Sequence, residues 1–277
     1  MKLGLAFAGG GMRGIAHAGV LKALEENNIK VDILTGTSSG SHVAVLAAMG
    51  FSGTEILNLF KQYAYSLVGN DSEYVVLNNL LFNKKLKFDG FRSGKPIEDL
   101  YNTIALQKNY HKMKEILFPV AIVATDVINE KEFVCSSITP FGTNYIDDID
   151  IGTAVRASSS FSVVFDPCPY KENILLDGGI LNNIPVDIAK TLGADKVIAV
   201  RFSSDKINSN SNIVQIGMKT IDMMSNRISE INLKNSDLTL TVASDGTSLL
   251  DLDNIDYCFQ SGYETAIENI DIIKKIL

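Results

Sequence analysis

The stretch LGLAFAGGGMRGIAHAGVL, Leu3–Leu21, decides the fold. Leu3–Ala8 is an unbroken apolar run of strand length, read as buried on both faces. Gly9–Gly14 follows as a loop with glycine at 9, 10, 11 and 14. Ile15–Asn27 then places Ile15, Ala18, Val20, Leu21 and Leu24 on one helical face. A buried strand feeding a glycine loop and then a helix is the opening unit of an α/β architecture.

The alternation continues outward. Val31–Thr35 reads as a second strand, with a Gly/Ser turn and the helix Ser41–Met49 directly behind it. A further helix is expected over Thr54–Leu67, and strands over Phe118–Ala124, Glu132–Ser136, Ile174–Leu176 and Lys196–Phe202. Ser203–Asn212 is polar and reads as a loop or linker. An amphipathic helix (Ile213–Leu233), a strand (Leu238–Ala243) and a terminal helix (Tyr263–Ile276) complete the chain. The expectation is one domain over 1–277, a three-layer α/β/α fold with a largely parallel central sheet.

Composition bounds the function. The chain has 277 residues, 46% of them hydrophobic and 21% charged, with a formal net charge of −7. That is enough apolar residue for a sizeable core. The acidic balance argues against nucleic acid and against membrane binding by net charge alone. Cys135, Cys168 and Cys258 show no metal-ligand spacing and cannot all pair, which favours a reducing compartment. No apolar run approaches the roughly 20 residues of a membrane-spanning helix. Leu3–Phe7 is also shorter than the roughly 7–15 residues of a secretory signal's apolar region. The expected location is the cytoplasm.

One segment departs from the average. Between Lys84 and Lys114, Lys84, Lys85, Lys87, Arg92, Lys95, Lys108, Lys112 and Lys114 face only Asp89, Glu98 and Asp99. Phe82, Phe88, Phe91 and Tyr110 are interleaved. Such a segment suits a lid or a peripheral contact with lipid headgroups. A solvated surface with aromatic anchors accounts for it equally.

Gly9–Gly14 supports two chemical readings. As Gly-x-Gly-x-x-Gly after a strand it matches the dinucleotide fingerprint, with Asp32 near the spacing of the ribose-binding carboxylate. However, Asp32 starts its strand, whereas that carboxylate belongs at the carboxyl end. Alternatively, backbone N–H groups of such a turn at a helix N-terminus surround a developing oxyanion. Gly9, Gly10, Gly11, Met12, Arg13 and Gly14 would then form the oxyanion hole.

Gly36-Thr37-Ser38-Ser39-Gly40 is a Gly-x-Ser-x-Gly pattern at a strand-to-helix turn, the setting of a nucleophile elbow. Gly36 and Gly40 relieve crowding so that Ser38 projects above the sheet. Ser39 and Ser41 read as helix-start residues. A serine hydroxyl needs a base. The histidines are His17, His42 and His111, and none follows residue 111 in the order a hydrolase triad requires. Each is read as a packing or surface residue. A carboxylate is the remaining candidate, and Asp177 before Gly178 and Gly179 ends a buried strand. A parallel sheet would set it at the same edge as Ser38, although an Asp–Gly turn bonding its own backbone also accounts for it.

Gly9–Gly14, Gly36–Gly40 and Asp177–Gly179, in this order, resemble the patatin-like phospholipase family. AGGGMRGIAHAGVL (Ala8–Leu21) is similar to the family's opening unit, and LDGGILNNIPV (Leu176–Val186) to its aspartate segment, including Asn183 and Pro185. FPVAIVATDV (Phe118–Val127) and AVRASSSFSVVFDP (Ala154–Pro167) also resemble family segments, so the likeness spans roughly residues 3–202. The resemblance implies a Ser38–Asp177 dyad, an oxyanion hole in the glycine loop, and hydrolysis of lipid acyl esters through an acyl-enzyme. It implies no metal or organic cofactor. Ser160 and Ser162 stand where the family commonly carries Ala and Pro, which implies an altered acyl pocket or entrance. Asp126 and Arg156 are read as braces. Two other functions stay open: a nucleotide-binding oxidoreductase of Rossmann type, and a non-catalytic lipid-binding protein.

Overall fold

The computed structural model describes residues 1–68, 93–162, 164–203, 213–243 and 254–277. Lys84, Lys85, Lys87 and Arg92, on which part of the basic-segment reading falls, lie outside the described residues.

The centre of the sheet is parallel. β1 (Leu3–Phe7) is buried along its whole length. It pairs in parallel with β2 (Ile33–Thr37) on one side and β7 (Lys196–Phe202) on the other. β3 (Val120–Asp126) extends the sheet in parallel beyond β2, and β8 (Leu238–Val242) beyond β7. Burial on both faces explains the apolar runs of β1, β3 and β7, whereas β8 at the sheet edge alternates, with Thr241 exposed.

The remaining strands make the sheet mixed. β4 (Lys131–Ser136) runs antiparallel along β3 from Ala121 to Asp126. β6 (Asn173–Asp177) is antiparallel to β3 at Ala124–Asp126, and β5 (Cys168–Tyr170) is antiparallel to β6. Since β4 fills one edge of β3, β2 and β6 share the other. β2 takes Val120–Val123 and β6 takes Ala124–Asp126. The two strands therefore meet end to end.

Helices cover both faces. α1 (Ala16–Glu26) follows a 3-10 turn at Gly11–Ile15. It packs against α3 (Gly53–Val68) and α8 (Ile255–Glu268). α2 (Ser39–Ala48) lies over β2 and β3. α4 (Lys95–Gln107) and α5 (Ile151–Ser158) pack together, joined by Arg156 Nη1 to Glu98 at 2.9 Å. α6 (Val186–Thr191) covers β1 and β7, so close that a Cβ at Gly4 would stand 3.4 Å from Ala189 Cβ. α7 (Ile213–Leu233) links β7 to β8, and α9 (Ile270–Ile276) follows α8 after Asn269.

Three expectations are corrected. The terminal helix is two helices, because the chain turns at Asn269. β2 begins at Ile33 rather than Val31 and reaches Thr37, so α2 starts at Ser39 rather than Ser41. The largely parallel sheet stands as expected, with its three antiparallel pairings confined to the β3 end. The helices α4, α5 and α6 were not read from the sequence, the latter two because they are short.

The basic segment is also resolved in part. Lys95 bonds Glu98 and Asp99, and Lys112 and Lys114 both bond Asp148. Lys108 lies over the Phe51 ring, 4.3 Å from its centroid. These four cations already have partners on the protein surface.

Candidate active site

β2 ends in a sharp turn. Ser38 has φ 51° and ψ −124°, outside the regions an L-residue favours. Such a conformation stores on the order of 1–3 kcal/mol and persists only when its surroundings fix it. Here they do. The Ser38 N–H donates to Ser158 Oγ at 3.0 Å, and Ser158 Oγ–H donates to the Val123 carbonyl at 2.6 Å. The Ser38 carbonyl accepts from Ser41 N–H at 2.8 Å and Ser41 Oγ–H at 2.6 Å. Gly40 admits close packing, since a side chain there would fall on the Phe7 carbonyl. At Gly36 a Cβ would fall on the Gly40 carbonyl.

Asp177 meets Ser38 along β3. Thr37 pairs with Val123, and Asp177 with Ala124. Asp177 does not reach this edge on a parallel strand, the route expected from the sequence: β6 is antiparallel, and the aspartate arrives by stopping where β2 stops. Its N–H donates to the Ser160 carbonyl at 3.0 Å, and its own carbonyl accepts from Thr125 Oγ1 at 3.0 Å. Gly179 N–H donates to Oδ1 at 2.8 Å, so the expected Asp–Gly turn is also present. Gly178 is crowded by the Val123 carbonyl, which leaves no room for a side chain. Burial pushes the Asp177 pKa up to about 6, while the Ser38 hydroxyl and the Gly179 N–H pull it down. Desolvation wins, because a buried carboxylate loses its hydration shell.

The loop after Asp177 is stapled to β2. Thr37 Oγ1 donates to the Asn182 carbonyl at 2.8 Å and Thr35 Oγ1 to the Pro185 carbonyl at 2.9 Å. Asn183 Oδ1 accepts the Gly9 N–H at 3.0 Å. Ser39 Oγ accepts the Gly10 N–H at 2.9 Å. Gly9 and Gly10 therefore spend their N–H groups holding the glycine loop. Gly11 (φ 60°) and Met12 open the 3-10 turn, where N–H groups have no partner within the helix. Arg13 is buried, its Nε donating to the Gly10 carbonyl at 3.1 Å and its guanidinium over the Phe202 ring at 5.3 Å. Gly14 is packed on the Ser39 side chain, at 2.5 Å from a built Cβ to Oγ.

The histidines stand elsewhere. His17 stacks on Phe7 with ring centroids 4.6 Å apart, and its Nε2 is 2.8 Å from the Ala8 carbonyl. His42 bonds Tyr101 Oη and Ser159 Oγ, each at 2.8 Å. Burial lowers both pKa values to about 4, so both are neutral at pH 7. His111 is exposed. Asp32 accepts from the Leu3 N–H and pairs with Lys30, at the amino end of the strands. That position removes it from the ribose role of the dinucleotide reading.

Asp126 accepts from the backbone of Ile128 and Asn129 and closes the β3–β4 turn. Arg156 joins α5 to α4. Ser160 Oγ bonds back to the Arg156 carbonyl at 2.9 Å, inside its own turn. Sequence reasoning gave no role to Ser158, Asn183 or Thr37, and it left Ser39 as a helix-start residue. The serine run Ser158–Ser160 was the available signal. No group of three His, Cys, Asp or Glu side chains among the described residues could hold a metal ion. Nor is any described helix long and apolar enough to cross a membrane.

The sequence profile of the patatin-like phospholipase family matches residues 5–190. Patatin-like phospholipase domain-containing protein 6 of Mus musculus is 31% identical over 210 residues, 73% of this chain and 14% of that protein. Lysophospholipase nte1 of Aspergillus fumigatus is 32% identical over 208 residues, 73% of this chain and 12% of that protein. The chain thus spans a small part of the length of these relatives. VipD from Legionella pneumophila shares the fold, with a TM-score of 0.52 at 16% identity over 98% of this chain and 66% of VipD.

Proposed function

The chain belongs to the patatin-like phospholipase family, and from that premise we propose that it hydrolyses lipid acyl esters with a Ser38–Asp177 dyad. The observation that carries this reading is the strained elbow of Ser38 beside a buried carboxyl group whose pKa is raised to about 6. No histidine takes the place of that base.

Asp177 accepts the Ser38 proton as Oγ attacks the ester carbonyl, forming the Oγ–C bond. The oxyanion points to the Gly11 and Met12 N–H groups, while Gly9, Gly10, Arg13 and Gly14 hold the loop in shape. Collapse breaks the bond to the leaving alcohol, which takes the proton from Asp177. Water then attacks the acyl-enzyme with Asp177 as base, releasing the fatty acid and restoring Ser38. A base of pKa about 6 is ionised at neutral pH yet basic enough to accept a proton.

A single patatin-like domain over 1–277 belongs to the proposal. Pairing of β8 with β7 and packing of α8 on α1 support it, since both tie the last residues to the family-like core. A cytoplasmic location with peripheral lipid contact through Lys84–Lys114 is also proposed. With Lys95, Lys108, Lys112 and Lys114 already partnered, that contact falls to Lys84, Lys85, Lys87 and Arg92. Reversing the charge of Lys84, Lys85 and Lys87 lowers liposome binding if this is so, and unchanged binding disposes of it.

Hydrolysis of p-nitrophenyl butyrate by wild type, Ser38→Ala and Asp177→Asn tests the dyad. The expected result is activity in wild type alone. Equal rates in all three sink it, and no turnover in any favours a non-catalytic lipid-binding protein.

A further inference from the structure

Three strands stand at the margins of the sheet, and two of them are guarded. β5 is three residues long and carries Pro169, which has no N–H to offer a further strand. β4 is closed by Ile146, whose N–H donates to the Val134 carbonyl and whose own carbonyl accepts the Ser136 N–H. β8, at the other end, has β7 as its one neighbour among the described residues. Its sequence, LTLTV, contains no charge and no proline, the devices that keep an exposed edge from pairing.

The edge is self-complementary. Leu238, Leu240 and Val242 alternate with Thr239 and Thr241, a pattern that reads the same in both directions about Leu240. On the β7 side, the Val242 carbonyl accepts the Ser203 N–H at 2.9 Å. Polar groups of alternate residues in a strand point the same way. Leu240 therefore also faces β7, while Thr239 and Thr241 turn their N–H and carbonyl groups outward. Leu240 and Val242 are buried and α8 packs on the strand, whereas Thr241 is exposed and Thr239 half-buried.

We propose that β8 is a homodimer interface, pairing antiparallel with β8 of a second copy about a two-fold axis at Leu240. Thr239 of each copy then stands opposite Thr241 of the other, each pair exchanging both of its main-chain hydrogen bonds. Leu240 meets its own copy and Leu238 meets Val242. Asp237 falls opposite Ala243, so no like charges meet. The axis stands perpendicular to the sheet, which brings both copies of α8 to one side of the joined sheet, where they add buried area. A second copy is the occupant because only a two-fold pairing uses the symmetry of the strand, and such a pairing closes at two chains.

Sedimentation equilibrium of the full chain is expected to give about twice the chain mass of 30.1 kDa. Thr241→Lys puts a charge on the edge, and Thr241→Pro removes an outward N–H that β7 does not use. Each is expected to weaken the dimer by about tenfold or more, with far-UV circular dichroism unchanged. Where Thr241→Pro fails to fold, Thr241→Lys decides alone. Leu117→Lys, an exposed change ahead of β3, is the control and is expected to leave the dimer intact. A wild type that stays monomeric at about 100 μM overturns the proposal. So does a dimer as tight in Thr241→Lys as in wild type, or growth beyond two copies, which a closed two-fold interface forbids.

Discussion

Thr37 and Asp177 occupy consecutive positions along one edge of β3, opposite Val123 and Ala124. One strand therefore sets the spacing between the proposed nucleophile, which follows Thr37, and the proposed base. Rigid placement by a shared strand edge is tighter than placement by loops, since both backbones are fixed by ladder hydrogen bonds.

Ser38 carries backbone strain that its proposed role as nucleophile accounts for. Replacing it by glycine, which tolerates φ 51°, is expected to abolish esterase activity and stabilise the fold by about 1 kcal/mol. Ser38→Ala is expected to be equally inactive without that gain. Thermal melting and ester hydrolysis of the two variants, measured together, check this.

The pH profile follows Asp177. As a base it works ionised, so kcat/KM is expected to rise through about pH 6 with a single ionisation. Stability moves the other way. The folded pKa lies above the ordinary carboxylate value of 3.8, so protonation favours the folded state. That contribution is complete below about pH 4 and is lost as pH rises through about 6. Asp177→Asn is expected to exceed wild type in stability by about 3 kcal/mol at pH 8, the gap closing toward pH 4. Denaturant melts at each pH measure it.

His17 and His42 have the opposite sign. Both are buried and neutral, with pKa values lowered to about 4 from 6.5. Their contribution is complete above about pH 6.5 and is lost as pH falls toward 4, because the unfolded chain takes up protons first. A His42→Gln variant is expected to show a shallower loss of melting temperature over that range. An unchanged slope refutes the assignment.

Ser158 anchors the elbow from below. Ser158→Ala leaves the Ser38 N–H without its acceptor, a cost of about 1–3 kcal/mol in stability. Because the misplacement falls on the nucleophile, kcat is expected to drop by about tenfold or more with KM little changed. Asn183→Ala is expected to act similarly through the freed Gly9 N–H. Steady-state kinetics of both variants, with melting curves as control, decide it.

The parts readable from sequence are those that local backbone geometry writes into residue type. Gly36, Gly40 and Gly178 each face a carbonyl where no side chain fits, and such places demand glycine. β1 and α1 were readable from apolar period for the same reason of locality. The clamp of Ser158 on Ser38 and the staple of Thr37 on Asn182 were not readable, since they join positions far apart in sequence. Ser39 misled because a serine at a helix start ordinarily caps it, whereas here its hydroxyl holds the Gly10 N–H. α4 went unread where Lys95, Glu98 and Asp99 break its apolar period with an exposed ion-pair face.

The end-to-end meeting of β2 and β6 also orders events during synthesis. Thr37 finds its partner carbonyl 145 positions later, at Asn182. A nascent chain holding the glycine loop and the serine but not yet residue 177 has a nucleophile with no base. Closing so long a loop is slow compared with local helix formation. On the proposed dyad, hydrolytic competence switches on late, once the aspartate segment has docked, and onset of esterase activity during refolding is expected to report that docking rather than collapse of the parallel core.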